Sequence, residues 1–235
     1  MQLPHVISAA RGWFALFPCD LNPVRAMIAP PLEPVTTRKE RAVVGVWLID
    51  CEESDWGAYR HLVVGVASRV KSWMAPPLGG LWFGQRASDF GFWVHLSLVS
   101  SDEVAKACTR YWSLPSVAAN IDVTLKRSKV RAVVAEGQAD VLELEMKRPG
   151  AGMPQRFPWR YYARQGDEVV RADMFIDAVG SEKSLLASAK LNLLRHETVE
   201  PMRTWFIRTG SPISVRWYDS LRLRIEEPCA RFRIT

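Results

Sequence analysis

The sequence predicts a mainly β, α+β protein in which a mostly antiparallel sheet closes into a barrel or a sandwich. Three observations favour this class. Short strand-like segments recur at roughly ten-residue spacing, few segments have helical periodicity, and the βαβα alternation of nucleotide-binding folds is missing together with the motifs GxGxxG and GxxxxGK[ST]. We expect residues 1–235 to form one domain, because large β domains reach this length.

The first half of the chain predicts a short helix, three strands and a second helix. Asp20 or Asn22 can cap a helix over DLNPVRAMIA, with Pro23 near its first turn. The valine-rich segments RAVVGVWLID and YRHLVVGVASRV are predicted as strands, and so is FGFWVHLSLVS. Ser100 and Glu103 then form the capping-box pattern of a helix over DEVAKACTRYW.

The segment FGFWVHLSLVS alternates with the period of two that separates the two faces of a strand. We therefore expect one apolar face and one face that carries two polar side chains. The apolar face would hold Phe92, Val94, Leu96 and Leu98, and the other face Trp93, His95 and Ser97.

The second half reads mainly as strands. Predicted strands are IDVTLKR, KVRAVVAEG, ADVLELEMK, WRYYARQ and EVVRADMFIDAVG, and the turn signals RSK, RPGAG and QGD separate several of them. The segment EKSLLASAKLNLLRHE fits a helix or a strand equally well. A final pair of strands, RTWFIR and ISVRWYDSLRLRIEE, is predicted to close the chain.

Several protein classes are disfavoured by what the sequence lacks. No apolar run approaches the ~18 residues of a membrane span, and the opening segment MQLPHVISAARGWFALFPCDL does not have the pattern of a signal peptide. Without an export signal, we expect the four cysteines to be reduced thiols in a cytoplasmic protein. None of them forms a CxxC pair or lies within a few residues of a histidine, so we expect no metal site. No cofactor motif is present, and no membrane partner is expected.

The net charge of +6 leaves nucleic-acid binding as a minor alternative. Basic residues are interleaved with carboxylates and apolar positions, as in SLRLRIEEP, and no run of like charges occurs. We interpret them as the solvated faces of strands. Binding to nucleic acid would instead show steep salt dependence.

Ten tryptophans are many for a chain of this length. They either fill the core or form the wall of an apolar cavity that holds a small organic ligand. Six of them lie in or beside predicted strands or the second helix: Trp47, Trp82, Trp93, Trp112, Trp205 and Trp217.

Three segments in order resemble the acetoacetate decarboxylase family. CDLNPVRAMIAPPLEPV is similar to the early helix of the family and the segment that leaves it. WLIDCEESDWGAYRHLVVGVAS is similar to its strand, acidic turn and Gly-x-Tyr-x-Glu strand, and VHLSLVSSDEVAKACTRYWSLPSVAANIDV to its helix followed by Gly-Arg-Glu-x-x-x-x-Pro-Lys-Lys. The resemblance covers the first half of the chain, implies a closed antiparallel barrel or cone, and allows a homo-oligomer.

The departures from the family pattern concern its chemistry. The family's first lysine after the proline forms a Schiff base with a keto group, and acetoacetate decarboxylase is a standard example of a lysine activated by desolvation and a neighbouring cation. Here Pro115 is followed by Ser116 and Val117, and the glutamate position after Tyr59 is His61. We infer that the barrel is retained and that Schiff-base decarboxylation is lost.

The resemblance indicates two catalytic candidates in the remaining pocket. Tyr59, His61 and Val63 share one face of a strand, which the family directs into the cavity. His61 could act as a general acid or base, or it could be a histidine held in the core. Ser116 could donate a hydrogen bond to a carbonyl or an enolate, or simply fill space.

Further side chains are predicted to bind substrate. Tyr59, Trp47, Trp112 and Leu114 are expected as walls of the cavity. His95 is a second polar candidate, and Arg110 and Arg60 could hold a carboxylate, although exposed arginines are the commoner case. The predicted substrate-binding set is Tyr59, Trp47, Trp112, Leu114, His95, Arg110 and Arg60.

These observations favour a cofactor-independent enzyme acting on an apolar, carbonyl-containing, polyketide-like molecule in specialised metabolism. Cyclisation, pericyclic rearrangement, isomerisation or dehydration would suit a cavity that works by positioning its substrate. The alternative is a barrel that binds a small molecule without turnover. Variants of His61 and Ser116 separate the two, since only an enzyme would lose turnover more than binding.

Overall fold

Strands make up most of the residues that the computed structural model describes, which are 1–37, 41–71, 89–184, 186–206 and 211–234. Within them the α-helices are α1 (Leu21–Met27), α2 (Asp102–Trp112) and α3 (Glu200–Arg203). The strands are β1 (His5–Cys19), β2 (Leu32–Pro34), β3 (Ala42–Ser54), β4 (Tyr59–Val70), β5 (Phe90–Val99), β6 (Ser116–Ala118), β7 (Asn120–Lys126), β8 (Lys129–Glu136), β9 (Ala139–Lys147), β10 (Met153–Gln165), β11 (Glu168–Lys183), β12 (Ala189–Leu193) and β13 (Ser214–Arg233).

Seven strands form a closed ring in the order β4-β3-β1-β13-β11-β10-β5, and the pairing of β5 with β4 completes it. All neighbours in the ring are antiparallel except β5 and β10, which pair in parallel at Tyr161 with Phe92 and Tyr162 with Trp93. The short strands β2 and β6 pair with β4 and β5 beside the ring. The predicted closed, mostly antiparallel barrel is therefore confirmed.

A second sheet of four strands, in the order β12-β9-β8-β7, contributes to a core outside the ring. Its buried residues, such as Ile121 and Leu142, pack in one cluster with Val46 and Leu48 of β3. A separate cluster contains Trp47 and other residues that surround the interior of the ring. The barrel thus has one core inside and one outside, between its wall and the second sheet.

Strand β3 has both faces buried, which explains why its sequence is a continuous apolar run. Val44, Val46 and Leu48 belong to the outer core. Val43 and Trp47 alternate with them and belong to the inner core. An apolar run of this kind forms the wall between two cores.

Strand β1 was not predicted from the sequence. It pairs with β13 over His5–Leu16 and with β3 over Ile7–Cys19, and register shifts between Ile7 and Gly12 break its alternation of side chains. Arg11 forms ion pairs with Asp50 at 3.2 Å and with Glu52 at 2.7 Å. Because of the register shifts and the ion-paired arginine, the sequence of this central strand does not show the period of two by which strands are predicted.

Strand β5 was predicted correctly, but its faces were not. In the pairing with β4, Val64 lies opposite Leu96 and Gly65 opposite Val94, so that His95 is an extra residue. Such a β-bulge shifts the alternation by one position. The inner face therefore carries Phe92, Val94, Ser97 and Val99, and the outer core takes Trp93, Leu96 and Leu98.

Helix α2 has the predicted range but a different cap. Ser101 is the N-cap, and its side chain accepts a hydrogen bond from the backbone N–H of Val104. Ser100 instead accepts a bond of 2.7 Å from the backbone N–H of Arg60. Ser100 thus links the N-terminus of α2 to β4, and Ser101 caps the helix.

The segment near residue 200 also differs from the prediction. The predicted strand RTWFIR forms helical turns at Arg203 and over Thr204–Phe206, and residues 207–210 lie outside the described residues, as does Trp82. The ambiguous segment before it contains β12. In the part of the chain that the structure describes, no helix is both long and apolar enough to cross a membrane.

Gly45 of β3 keeps the barrel interior open between two phenyl rings. A Cβ atom at this position would lie 2.8 Å from Phe14 Cε2 and 2.8 Å from Phe92 Cε1. We predict that Gly45→Ala lowers the free energy of unfolding by about 1–3 kcal/mol, the usual cost of overpacking a core. Urea denaturation measures this change.

The matched test is a double-mutant cycle with Phe92→Leu. The smaller side chain should relieve the contact, so that Gly45→Ala costs less in this background than in the natural protein. Equal costs in both backgrounds would contradict the close contact with Phe92.

Candidate functional site

A cavity of about 60 Å³ lies inside the barrel. Aromatic rings from five strands and from helix α2 form much of its wall. Phe92 and Trp159 stack with centroids 4.8 Å apart, and Trp159 meets the edges of Trp47 at 4.7 Å and Phe14 at 4.9 Å. Such edge-to-face and stacked contacts hold large rings in fixed orientations. The aromatic lining consists of Phe14, Trp47, Tyr59, Phe92, Trp112, Trp159 and Tyr161.

The tryptophans serve both of the roles that the sequence left open. Trp47, Trp112 and Trp159 line the cavity. Trp93 and Trp217 are buried in the outer core instead. Core filling and cavity lining are therefore divided between the two sides of the barrel wall.

Strand β4 presents alternate residues to the cavity, as its predicted face requires. Tyr59, His61, Val63 and Gly65 all contribute to the lining. The strand can do this because each of these positions points inward while Leu62, Val64 and Val66 pack in the outer core.

A hydrogen-bonded chain joins His61 to Ser116. His61 Nε2 lies 2.8 Å from Ser97 Oγ, and Ser116 Oγ donates to Ser97 Oγ at 2.8 Å. Ser97 was not singled out from the sequence, which grouped it with Trp93 and His95 on one face; the bulge at His95 separates it from both. Ser116 thus lies behind Ser97, and Ser97 makes the hydrogen bond to the imidazole.

The turn after helix α2 brings further lining residues to the cavity. Ser113 adopts a left-handed conformation with φ 56°, and the backbone N–H of Leu114 returns to the carbonyl of Cys108 at 3.3 Å. Cys108, Trp112 and Leu114 line the cavity as a result. The turn then leads into β6, whose pairing with β5 aligns Ser116 with Ser97.

Burial keeps the titratable side chains of the lining uncharged near neutral pH. It lowers the pKa of His61 from 6.5 to about 4, with a smaller contribution from His5. It raises the pKa of the Cys108 thiol to about 12, and the pKa values of Tyr59 and Tyr161 well above 10. Among the described lining residues there is no Asp, Glu, Lys or Arg.

Two hydrogen-bond donors of the lining have no partner among the described residues. They are the Trp47 indole N–H and the Tyr161 hydroxyl, and both atoms are buried. An unpaired buried donor costs about 1–3 kcal/mol, so a ligand with an acceptor atom would stabilise this arrangement. Tyr161 lies in a predicted strand, but nothing in the sequence distinguished it from neighbouring aromatic residues.

Three predicted binding residues lie outside the cavity lining. His95 packs against the Trp205 ring at 4.7 Å, on the outer side of the wall. Arg60 binds Asp50 at 3.1 Å and donates to the carbonyl of Ile121 at 2.8 Å. Arg110 is exposed, with its guanidinium over Tyr111 at 5.5 Å.

No metal site is formed by the residues that the structure describes, since they contain no group of three His, Cys, Asp or Glu side chains suited to hold an ion. The cysteines Cys19, Cys51 and Cys108 are buried and Cys229 is exposed, all as free thiols. The described cysteines therefore do not form a metal-binding group with other residues of the cavity.

Known structures share this fold at low sequence identity. The acetoacetate decarboxylase of Legionella pneumophila subsp. pneumophila str. Philadelphia 1 has a TM-score of 0.65 and 14% identity, over 97% of this chain and 88% of its own. The enduracididine biosynthesis enzyme MppR, complexed with pyruvate, has a TM-score of 0.63 and 9% identity, over 100% of this chain and 92% of its own. An acetoacetate decarboxylase-like enzyme from Sphingomonas wittichii RW1 has a TM-score of 0.60 and 10% identity, over 100% of this chain and 95% of its own.

The sequence itself matches one family profile. No curated protein is significantly similar to the chain. The profile of the acetoacetate decarboxylase family (ADC) matches residues 4–203, which is most of the chain and confirms the resemblance seen in its short motifs. This chain is therefore a member of the acetoacetate decarboxylase family.

Proposed function

We propose that the protein is a cofactor-independent enzyme that isomerises or dehydrates a small, uncharged carbonyl compound through an enol or enolate. The observation that carries this proposal is the aromatic cavity inside the barrel, whose described titratable groups are all neutral and in which two donors lack partners among the described residues. Its substrate would be the only partner that the cavity requires.

The two unpartnered donors favour a carbonyl group as the recognised feature. A carbonyl oxygen accepts two hydrogen bonds, and its acceptor strength grows as negative charge develops on it during enolisation. Donors fixed in a site that excludes water stabilise such a charge more than water would. Trp47 Nε1 and the Tyr161 hydroxyl are already fixed by the packing of their rings.

The size of the cavity favours a short substrate. One water molecule needs about 10–15 Å³ of such space, so that 60 Å³ suits a ligand of a few non-hydrogen atoms. The structural relative MppR is complexed with pyruvate, a carbonyl compound of this size. Among the reactions considered from the sequence, isomerisation and dehydration fit this space better than cyclisation or pericyclic rearrangement of a polyketide-like chain.

The charge of the cavity favours a neutral ketone or aldehyde over a keto acid. A carboxylate that leaves water for an apolar site needs a cation or several donors, and the described lining supplies no Lys or Arg. Arg60 and Arg110, the predicted carboxylate ligands, lie elsewhere on the molecule.

His61 acts in this proposal as a neutral hydrogen-bond donor. Because Ser116 donates to Ser97, the hydroxyl of Ser97 is able to donate in turn to His61 Nε2. That direction places the imidazole hydrogen on Nδ1, the ring nitrogen left for a ligand. Ser116 supports the imidazole through Ser97, whereas the sequence suggested direct contact with the substrate.

Binding without turnover is the contrasting function, and one observation favours it. All four titratable side chains of the lining are held uncharged, so none is a strong base in its resting state. A binder would take up the same neutral ketones and leave them unchanged.

The first prediction concerns proton exchange in a small ketone. In D₂O the protein should accelerate exchange of the α-protons of butanone, because enolisation releases these protons to solvent. Proton NMR of the ketone measures the exchange, and quenching of tryptophan fluorescence measures binding. We expect His61→Gln and Tyr161→Phe to slow exchange about tenfold or more, consistent with loss of one donor to an oxyanion.

Pyruvate provides the matched comparison for charge. It should bind more weakly than butanone and exchange more slowly, since its carboxylate would be buried without a cation. Tight binding of butanone without exchange would favour the binder, and absence of binding by every small ketone would refute both functions.

The second prediction concerns covalent chemistry. Borohydride added with butanone should leave no adduct on the natural protein, because no lysine lines the described part of the cavity. Ser116→Lys should become labelled, since its amine would lie beside Ser97 near the cavity, where burial lowers the pKa of an amine. Mass spectrometry of the intact protein reads the adduct.

Val117→Lys is the matched control for this labelling. Val117 alternates with Ser116 on β6 and is 39% exposed, so a lysine there should extend into solvent and remain unlabelled. An adduct on the natural protein would contradict the loss of Schiff-base chemistry and would direct attention to Lys126 or Lys129.

The third prediction follows from the neutral state of His61. Between pH 6.5 and about 4 an unfolded histidine binds a proton, whereas folded His61 does not. The unfolded state therefore binds more protons in this interval, and the free energy of unfolding falls as the pH falls from 6.5 towards 4. His61→Gln should remove about 3 kcal/mol of this dependence, as measured by urea denaturation.

Ser97→Ala is the control for the pH effect. It removes the hydrogen bond to the imidazole but keeps a histidine at position 61, so most of the pH dependence should remain. An unchanged pH dependence in His61→Gln would contradict the assignment of the effect to this residue.

A further inference from the structure

Three side chains form a hydrogen-bonded row that ends at the cavity. The Asp55 carboxylate binds His5 Nδ1, and His5 Nε2 lies 2.8 Å from the Tyr59 hydroxyl. The Asp55 side chain is 40% exposed, His5 is fully buried, and Tyr59 lines the cavity. The row therefore runs from solvent through the barrel end to the site of the proposed reaction.

The fold holds each member of this row in place. Strands β1 and β3 pair beside it, at Ile7 with Ser54, and the turn from Ser54 to Tyr59 then carries Asp55 back over His5. Asp55 Oδ2 also accepts the backbone N–H of Val6 at 3.2 Å. The imidazole stacks on the Trp56 ring with centroids 3.8 Å apart and an angle of 18°. This packing leaves the imidazole little freedom to rotate.

The carboxylate sets the tautomer of the imidazole. An ionised carboxylate only accepts hydrogen bonds, so the hydrogen of neutral His5 lies on Nδ1. Nε2 is then an acceptor, and the Tyr59 hydroxyl donates to it. A Ser-His-Asp triad has the same order of groups, with a serine hydroxyl in place of the phenol.

We infer that Tyr59 is the general base of the proposed enolisation, that His5 receives the hydroxyl proton of Tyr59, and that Asp55 is the positioning residue that orients His5. This inference rests on the proposed function, to which it adds the group that moves the proton. Nothing in the sequence pattern assigned a role to His5 or Asp55, and Tyr59 was expected only as a wall.

The proton balance of the step is complete within these residues. The C–H bond next to the substrate carbonyl breaks, and its proton passes to the Tyr59 oxygen as the hydroxyl proton of Tyr59 moves to His5 Nε2. The electron pair of that bond forms the C=C bond of the enolate, and the negative charge develops on the carbonyl oxygen near the Tyr161 and Trp47 donors. Return of the proton through Tyr59 to the α-carbon restores the ketone, and its return to the γ-carbon of an unsaturated substrate completes a double-bond isomerisation; either route restores neutral His5.

The electrostatic setting agrees with a concerted transfer. Burial raises the pKa of Tyr59 well above 10, so a free phenolate does not form first. Burial also lowers the pKa of His5, while the bond to Asp55 raises it in part, so that Asp55 stabilises the imidazolium when it forms. Cys51, Cys108, Tyr161 and His61 are the other titratable groups close to Tyr59 or His5.

The kinetic test uses exchange of the butanone α-protons in D₂O. Tyr59→Phe should lower the maximal exchange rate about 100-fold or more, the usual contribution of a general base, and leave the butanone concentration at half-maximal rate almost unchanged. Asp55→Asn should lower the same rate at least tenfold, again without a change in binding. Tyr111→Phe is the matched control, because its hydroxyl donates to the carbonyl of Met1 and lies outside the cavity lining; its rate should remain that of the natural protein.

The tautomer test does not depend on turnover. Nitrogen-15 NMR of the histidines should show His5 with its hydrogen on Nδ1 in the natural protein and in Tyr59→Phe, and a shift of that hydrogen towards Nε2 in Asp55→Asn. A hydrogen on Nε2 in the natural protein would overturn the relay.

The outcomes separate this inference from the proposed function. Full exchange by Tyr59→Phe, with exchange by the natural protein intact, would overturn the relay and leave the enolising enzyme standing. No exchange of any small ketone by the natural protein would overturn both. Loss of exchange in Tyr59→Phe and in Asp55→Asn, with Tyr111→Phe unaffected, is the result that the relay requires.

Discussion

The pairing of β4 with β5 is the interaction on which the site depends. It closes the ring of seven strands, and it does so with one extra residue, His95, on the β5 side. Because the side-chain period of a strand is two, one extra residue reverses every later position. Ser97 thereby turns inward to His61, and the imidazole gains its hydrogen-bonding partner from the same contact that seals the barrel.

The cavity remains open because its aromatic walls are supported by one another. Phe14, Phe92 and Trp159 meet at right angles or in a stack, with centroids 4.8 to 5.7 Å apart. Rings in such contacts cannot collapse into the space between them without losing favourable edge-to-face geometry. The described residues of the lining carry no formal charge, which suits neutral hydrogen bonds more than ion pairs.

Much of the fold was predictable because it follows from local patterns. β4 and α2 have the predicted ranges, and the number and spacing of strands predicted a barrel or a sandwich, between which the family resemblance favoured the closed barrel. The alternation in β4 placed Tyr59 and His61 on one face, and the resemblance directed that face into the cavity. What the sequence did not show depends on contacts between distant segments. The bulge at His95 arises only when β5 pairs with β4, and β1 is irregular enough that it becomes a strand only between its two partners.

The same limit applies to the site. Ser97 was grouped with Trp93 and His95 because the sequence does not show the extra residue at His95. Tyr161 was one aromatic residue among many. His5 and Asp55 are separated by fifty positions along the chain and meet only because β1 and β3 are paired. A histidine and a carboxylate at that separation have no pattern that a single sequence could reveal.

The two cores share their strands, and this has a consequence for how the protein unfolds. Neighbouring residues of β3 belong to different cores, and β13 pairs with β1 on one side and β11 on the other over much of its length. Neither core can therefore be disordered while the other keeps its packing. We expect the barrel and the second sheet to lose structure as one cooperative unit, and a substitution on the outer wall to weaken the architecture around the cavity as directly as one made inside it.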